Sequence, residues 1–66
     1  MEIVVNGEQR TVVEGATILS LLRDLSLPET RVAVERNRSL VRKADFAGTG
    51  LSQDDRIEIV TFVGGG

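Results

Sequence analysis

Alternating apolar and polar positions at both ends of the chain enclose a stretch in which apolar residues recur at helical spacing. Residues 1–5 carry Ile3 and Val5 in a β-branched run that meets Asn6-Gly7. Asn-Gly supplies the positive φ angles of a type I′ turn, so residues 9–13 read as the returning strand of an antiparallel hairpin. Glu14-Gly15 stops that strand. Ile18, Leu21, Leu22 and Leu25 then fall at i, i+3, i+4 and i+7, the single stripe of an amphipathic helix whose ordinary use is core packing. Thr17, just ahead of them, suits the N-cap because its hydroxyl accepts from a free backbone N–H. Pro28 ends the helix: it has no N–H to donate and biases Leu27 toward extended angles.

Residues 32–34 predict a third strand, Asn37-Arg38 a turn, and residues 39–41 a brief fourth strand. Residues 43–47 fit one helical turn that sets Phe46 under the sheet. Gly48-Thr49-Gly50 is a loop, and a G-x-G without a following helix or a Lys-Ser/Thr pair is no phosphate cradle. Asp54-Asp55 makes a polar turn into a final strand over residues 56–63. With one helix covering one face, period-two alternation points Ile3, Val5, Ile57 and Ile59 inward. Glu2, Val4, Glu58, Val60 and Phe62 share the other face. There Val4, Val60 and Phe62 are expected to form an apolar patch rimmed by charge, a candidate partner-docking surface.

Directly after that strand come Gly64, Gly65 and Gly66. Glycine has no Cβ, so such a run neither packs nor prolongs the strand with any strength. It fits a slot too narrow for any side chain and delivers one group there, the α-carboxylate of Gly66, ionised at neutral pH. The expected division is a domain over residues 1–63 and a flexible glycine tail over residues 64–66. The plainer alternative for the tail is a frayed end or scar.

Composition narrows the chemistry. Sixty-six residues make one small domain. The chain has no Cys and no His, which removes disulfides, thiolate chemistry, the commonest general base and most zinc arrangements. No metal site or catalytic residue is expected. A net charge of −2 argues against nonspecific phosphate-backbone binding, and Phe46 and Phe62 as the only aromatics give no stacking platform. No membrane span or signal pattern is evident, so a cytoplasmic location is expected. Charge is uneven: Arg31, Arg36, Arg38, Arg42 and Lys43 stand against Glu35 alone in residues 31–43. That segment suits either steering of a protein partner or a solvated strand and turn, and replacing Arg36 and Arg38 is expected to leave the fold unchanged.

A hairpin, one helix, two short strands and a last strand leading into glycines resembles the β-grasp fold of ubiquitin-like proteins. Within it the chain most resembles the ThiS-type sulfur carriers of thiamin thiazole biosynthesis, over essentially its whole length. The resemblance rests on residues 1–7, 17–22 and 32–37, the turn and strand of residues 54–59, and the ending Val60-Thr61-Phe62-Val63-Gly64-Gly65-Gly66. It implies an α+β fold with a mixed sheet of four to five strands and one main helix packed on one face. The first and last strands are then parallel neighbours at the centre. A third glycine, Gly64, departs from the family's terminal pair.

The resemblance further implies a protein cosubstrate and not an enzyme. A ThiF-type adenylating enzyme converts the Gly66 carboxylate to an acyl adenylate at the expense of ATP. A persulfide donor replaces AMP to leave a thiocarboxylate, and a ThiG-type thiazole synthase takes the sulfur. No cofactor is bound; the adenylate and thiocarboxylate are transient covalent states of Gly66. Gly64 and Gly65 give access, Val4, Glu58, Val60 and Phe62 dock the partner, and the free chain is a monomer. A MoaD-type carrier for molybdopterin synthesis and a ubiquitin-like modifier or adaptor remain open alternatives.

Overall fold

The Asn6-Gly7 signal is realised as a type I′ turn, with φ of 49° and 83° at its two central residues. In the computed structural model, which describes residues 1–62, this turn joins β1 (Glu2–Val5) to β2 (Glu8–Thr11). A two-residue turn pairs Val5 directly with Glu8, so β2 begins one residue earlier than the alternation suggests. It also ends earlier. The Val12 N–H still donates to Met1 O at 2.8 Å, and the terminal amino group returns a bond to Val12 O at 2.7 Å, but Val13 turns out to solvent.

Thr17 caps α1 (Ile18–Asp24) as its hydroxyl predicts, in a reciprocal capping box with Ser20. The remaining amide donors of the first turn go to the segment that runs from Phe46 to Thr49. Ile18 N–H donates to Thr49 O and Leu19 N–H to Phe46 O, both at 3.0 Å. Every N–H that a helix start leaves without an intrahelical acceptor is thus paired within the fold. At the other end Ser26 takes a left-handed φ of 57°, Leu27 N–H reaches back to Leu22 O and Ser26 N–H to Arg23 O. That double bond pattern closes the helix before Pro28.

Beyond a single 3-10 turn at Glu29–Arg31 lie β3 (Val32–Arg36) and β4 (Ser39–Val41), joined by a second type I′ turn with φ of 51° at Asn37 and 72° at Arg38. A 3-10 turn at Lys43–Asp45 then delivers Phe46 into the core. The last strand, β5 (Arg56–Thr61), slots between β1 and β3, giving the order β2-β1-β5-β3-β4. β1 and β5 run parallel, with Val4 opposite Arg56 and Val5 opposite Ile57; the other pairings are antiparallel. This is the mixed, five-stranded β-grasp sheet that the resemblance implies. Val63, placed in the last strand by its apolar character, and the division between residues 63 and 64 lie outside the described residues.

Ile18, Leu21 and Leu22 of α1 pack on Ile3, Val5, Val32, Val34, Ile57 and Ile59, with Ala16, Phe46 and Leu51 closing the edges. Burying each large aliphatic side chain contributes about 1.5–3 kcal/mol against the ordering of a short chain. Among the described residues, nothing is layered on the opposite face of the sheet.

Two polar side chains tie β5 in place. Asn6 uses its amide as an extra strand residue: Ile59 N–H donates to its Oδ1 at 2.7 Å, and its Nδ2 donates to Ile59 O at 3.2 Å. The pairing of β1 with β5 therefore continues past the last residue of β1. Asp55, just before β5, is buried and accepts from Arg36 Nε at 2.8 Å, Asn37 Nδ2 at 2.9 Å and Ser52 N–H at 2.8 Å. Burial by itself would raise its carboxyl pKa. The hydrogen bonds from Arg36, Asn37 and Ser52, with the Arg36 charge, outweigh it and hold the group below its ordinary 3.8.

Asn6→Gly keeps a residue suited to positive φ but deletes both bonds to Ile59. It is expected to cost roughly 1–2 kcal/mol, read as a lower melting temperature and faster hydrogen exchange at the Ile59 amide. For Asp55 the folded pKa lies below the unfolded 3.8, so its contribution is complete above that value and is lost as pH falls through the folded one. Asp55→Asn is expected to lose about 2 kcal/mol at neutral pH and to show a flatter stability profile below pH ~4, measured by denaturant titration across the acid range.

Candidate functional site

β5 sends Ile57 and Ile59 into the core and turns Glu58 and Val60 outward by alternation, with Phe62 exposed just beyond its end. The register fixes what stands beside each. Glu35 of β3 lies opposite Glu58 and Ala33 opposite Val60, while Phe62 N–H donates to Arg31 O at 2.8 Å. One strand further out, Leu40 of β4 lies opposite Glu35. The uncovered face of the sheet toward the end of β5 is thus built from Ala33, Leu40, Val60 and Phe62 around two carboxylates. Val60 and Phe62 are 58% and 56% exposed and Leu40 is 68% exposed, so none of the three is a core residue.

Val4 does not join this group. Its partner on β5 is Arg56, four positions before Val60 and so about 13 Å along the strand. It sits half-buried in a shallow depression with Glu2, Gln9, Asp54 and Arg56. The expected single patch of Val4, Val60 and Phe62 is therefore corrected: alternation gives the face but not the position along a parallel neighbour. Leu40 escaped sequence reading for the same reason. A three-residue strand has too few positions to reveal which side faces in, and only its pairing with β3 assigns it.

The basic segment also divides. Arg36 is half-buried and committed to Asp55, so replacing it is expected to destabilise the fold, against the sequence-based expectation of no change. Arg42 lies 3.5 Å from Asp45 in an exposed pair. Arg31, Arg38 and Lys43 remain exposed. Asp55 and Asn6, read from sequence as turn residues, prove to be the anchors of β5; their partners lie in strands distant in sequence.

Electrostatically the face is uneven. Glu35 and Glu58 occupy directly opposed positions on neighbouring strands, where like charges repel. Among the described residues the ion pairs are Arg36–Asp55 and Arg42–Asp45, so neither Glu35 nor Glu58 is within ion-pair distance of a cation. No group of three or more His, Cys, Asp or Glu among the described residues is arranged to hold a metal. No described helix is long and apolar enough to cross a membrane. Gly64, Gly65 and Gly66, the sequence-based candidates for the reactive end and its access, lie outside the described residues.

Known proteins share the fold or the sequence of this chain. A crystal structure of the thiamine biosynthesis protein ThiS from Geobacter metallireducens matches with a TM-score of 0.84 and 32% identity, covering all of both chains. The sulfur carrier protein ThiS of Bacillus subtilis is 44% identical over 53 residues, which is 80% of each chain. A thiazole synthase of Paramagnetospirillum magneticum is 41% identical over 66 residues, and the chain spans only 20% of that protein's length. The same share holds for a thiazole synthase of Magnetococcus marinus, also 41% identical. The model of the ThiS family matches residues 3–66, nearly the whole sequence and the glycine run with it; the chain belongs to the ThiS family.

Proposed function

We propose that this chain is a sulfur carrier of thiamin biosynthesis, a cytoplasmic protein cosubstrate that carries sulfur on the carboxyl group of Gly66. The observation that carries the reading is the family match across residues 3–66 on a fold whose central strand runs toward the glycines. The relatives named as thiazole synthases support a synthase of the ThiG type as the sulfur acceptor.

The chemistry follows from what a carboxylate lacks. It is a poor electrophile until one oxygen becomes a leaving group. In a ThiF-type adenylating enzyme, a Gly66 carboxylate oxygen attacks the α-phosphorus of ATP and pyrophosphate departs, leaving an acyl adenylate. The terminal sulfur of a persulfide attacks the carbonyl carbon and AMP departs. A thiol then cleaves the remaining S–S bond, and the thiocarboxylate stays on the carrier. In the synthase the sulfur passes to the acceptor, an oxygen from the acceptor or water takes its place on the carbonyl carbon, and the carboxylate returns. Stabilisation of the phosphates belongs to the adenylating enzyme, through cationic groups and a divalent metal.

The carrier's own task is to be recognised and to deliver its end. Ordering each tail residue in a narrow channel costs about 1–2 kcal/mol of backbone entropy, and more for glycine. Contacts made by the folded domain must offset that cost. Val60 and Phe62 are suited to it: they are exposed and closest in sequence to the tail, with Glu58 beside them and Val4 a separate, more distant contact.

Incubation with the adenylating enzyme, ATP and a persulfide source is expected to replace one oxygen of the chain by sulfur, visible by intact mass. A covalent conjugate would make it a modifier, and no change an adaptor. Removal of Gly65 and Gly66 is expected to abolish adenylation with an unchanged melting temperature; full adenylation of that variant would sink the mechanism. Phe62→Asp is expected to shift stability by no more than about 0.5 kcal/mol while weakening affinity for the adenylating enzyme roughly tenfold or more. A collapsed melting temperature with normal affinity would make Phe62 a structural residue.

A further inference from the structure

The uncovered sheet face joins apolar area to unbalanced charge in one pattern. Leu40 lies on one side, Ala33, Val60 and Phe62 lie toward the end of β5, and Glu35 and Glu58 stand directly opposed between them. Both carboxylates are exposed, and Arg56, two positions before Glu58 on the same face, is not within ion-pair distance of either. Phe62 N–H bonds to Arg31 O and Asn37 N–H to Arg56 O, so the intervening Glu35–Glu58 pair is a hydrogen-bonded one. In such pairs the Cα atoms stand about 5.5 Å apart. Like charges at that spacing destabilise the isolated sheet, and nothing in the fold of the described residues uses them.

We infer that this face receives a protein partner that presents a cationic side chain, an arginine, between apolar residues. The guanidinium bridges Glu35 and Glu58, while the apolar residues rest on Leu40 on one side and on Ala33, Val60 and Phe62 on the other. The assignment to arginine is one of geometry. A planar guanidinium carries five donors in a fixed fork and can serve two carboxylates at once, whereas an ammonium is a point charge. Covered by apolar neighbours, those charge-assisted bonds are stronger than at an open surface. The alternative occupant, a second copy of this chain stacked face to face, would bring four carboxylates together. The inference deepens the carrier reading and rests on it, since it describes how the adenylating enzyme or the synthase grips the domain.

Charge repulsion in the free state and attraction in the complex predict opposite signs for one change. In the variant with Glu35→Gln and Glu58→Gln, the melting temperature is expected to stay level or rise. Its affinity for the purified ThiF-type enzyme or the ThiG-type synthase, by calorimetry, is expected to fall roughly tenfold or more. Glu8→Gln, an exposed change on the edge strand β2, controls for net charge and is expected to bind normally. Unchanged affinity of the double variant for both partners would overturn the inference, as would an equal loss in the Glu8 control or a drop in melting temperature. Dimers of the wild-type chain in sedimentation, lost on Phe62→Asp, would assign the face to a second copy instead. These readings concern binding alone. A wild-type chain that binds but acquires no sulfur counts against the carrier reading and not this one, and a wild-type chain that binds neither enzyme overturns both.

Discussion

β5 is hydrogen-bonded on both flanks, in parallel to β1 and antiparallel to β3, and the rest of the molecule is arranged around that double pairing. The parallel contact is short, since β1 ends at Val5, and a parallel pair of so few residues has little hold of its own. Asn6 supplies what is missing by bonding both the N–H and the carbonyl of Ile59. Asp55 fastens the beginning of the strand to the β3–β4 turn through Arg36 and Asn37. With both ends held, Ile57 and Ile59 meet α1 at a fixed height, and Glu58, Val60 and Phe62 are displayed at fixed positions on the other side.

The same threading separates the work of the two faces. One is closed by α1 and the Phe46 turn and supplies stability; the other, uncovered among the described residues, is the face to which the proposed carrier reading gives recognition. A domain of this size buries a modest fraction of its surface, so leaving a sheet face open is a considerable concession. The polar anchors compensate by removing alternatives: with Asn6 and Asp55 engaged, β5 has no register to slip into. Stability in such a domain depends as much on holding strands in place as on the number of apolar contacts.

Local chemistry was legible in the sequence because its causes are local. Asn6-Gly7, Thr17 and the Ile18–Leu22 stripe each encode a conformation within a few residues and appear as read, whereas α1 closes at Ser26, ahead of the Pro28 expected to end it. The inward set Ile3, Val5, Ile57 and Ile59 follows from period two alone. What could not be read depends on pairing between distant segments. In the sequence Arg36 is one member of a basic run, and its commitment to Asp55 exists only because β3 and β5 are neighbours. Val4 shares the face of Val60 and Phe62, but the parallel register sets it beside Arg56 and away from them. Leu40 and the Glu35–Glu58 opposition emerge only once three strands are laid side by side.

The late position of β5 in the chain also bears on how the protein comes into being. A nascent polypeptide that has emerged only as far as Leu51 holds the β1–β2 hairpin, the α1 segment and the β3–β4 hairpin, but the gap between β1 and β3 is still empty. The hairpins rest on local contacts; the core needs Ile57 and Ile59, which join it across long sequence separations. Folding therefore waits for the segment that lies just ahead of the glycines. A prematurely terminated chain has no finished sheet, so a partner that recognises the folded sheet, as the proposed carrier reading requires, does not engage it.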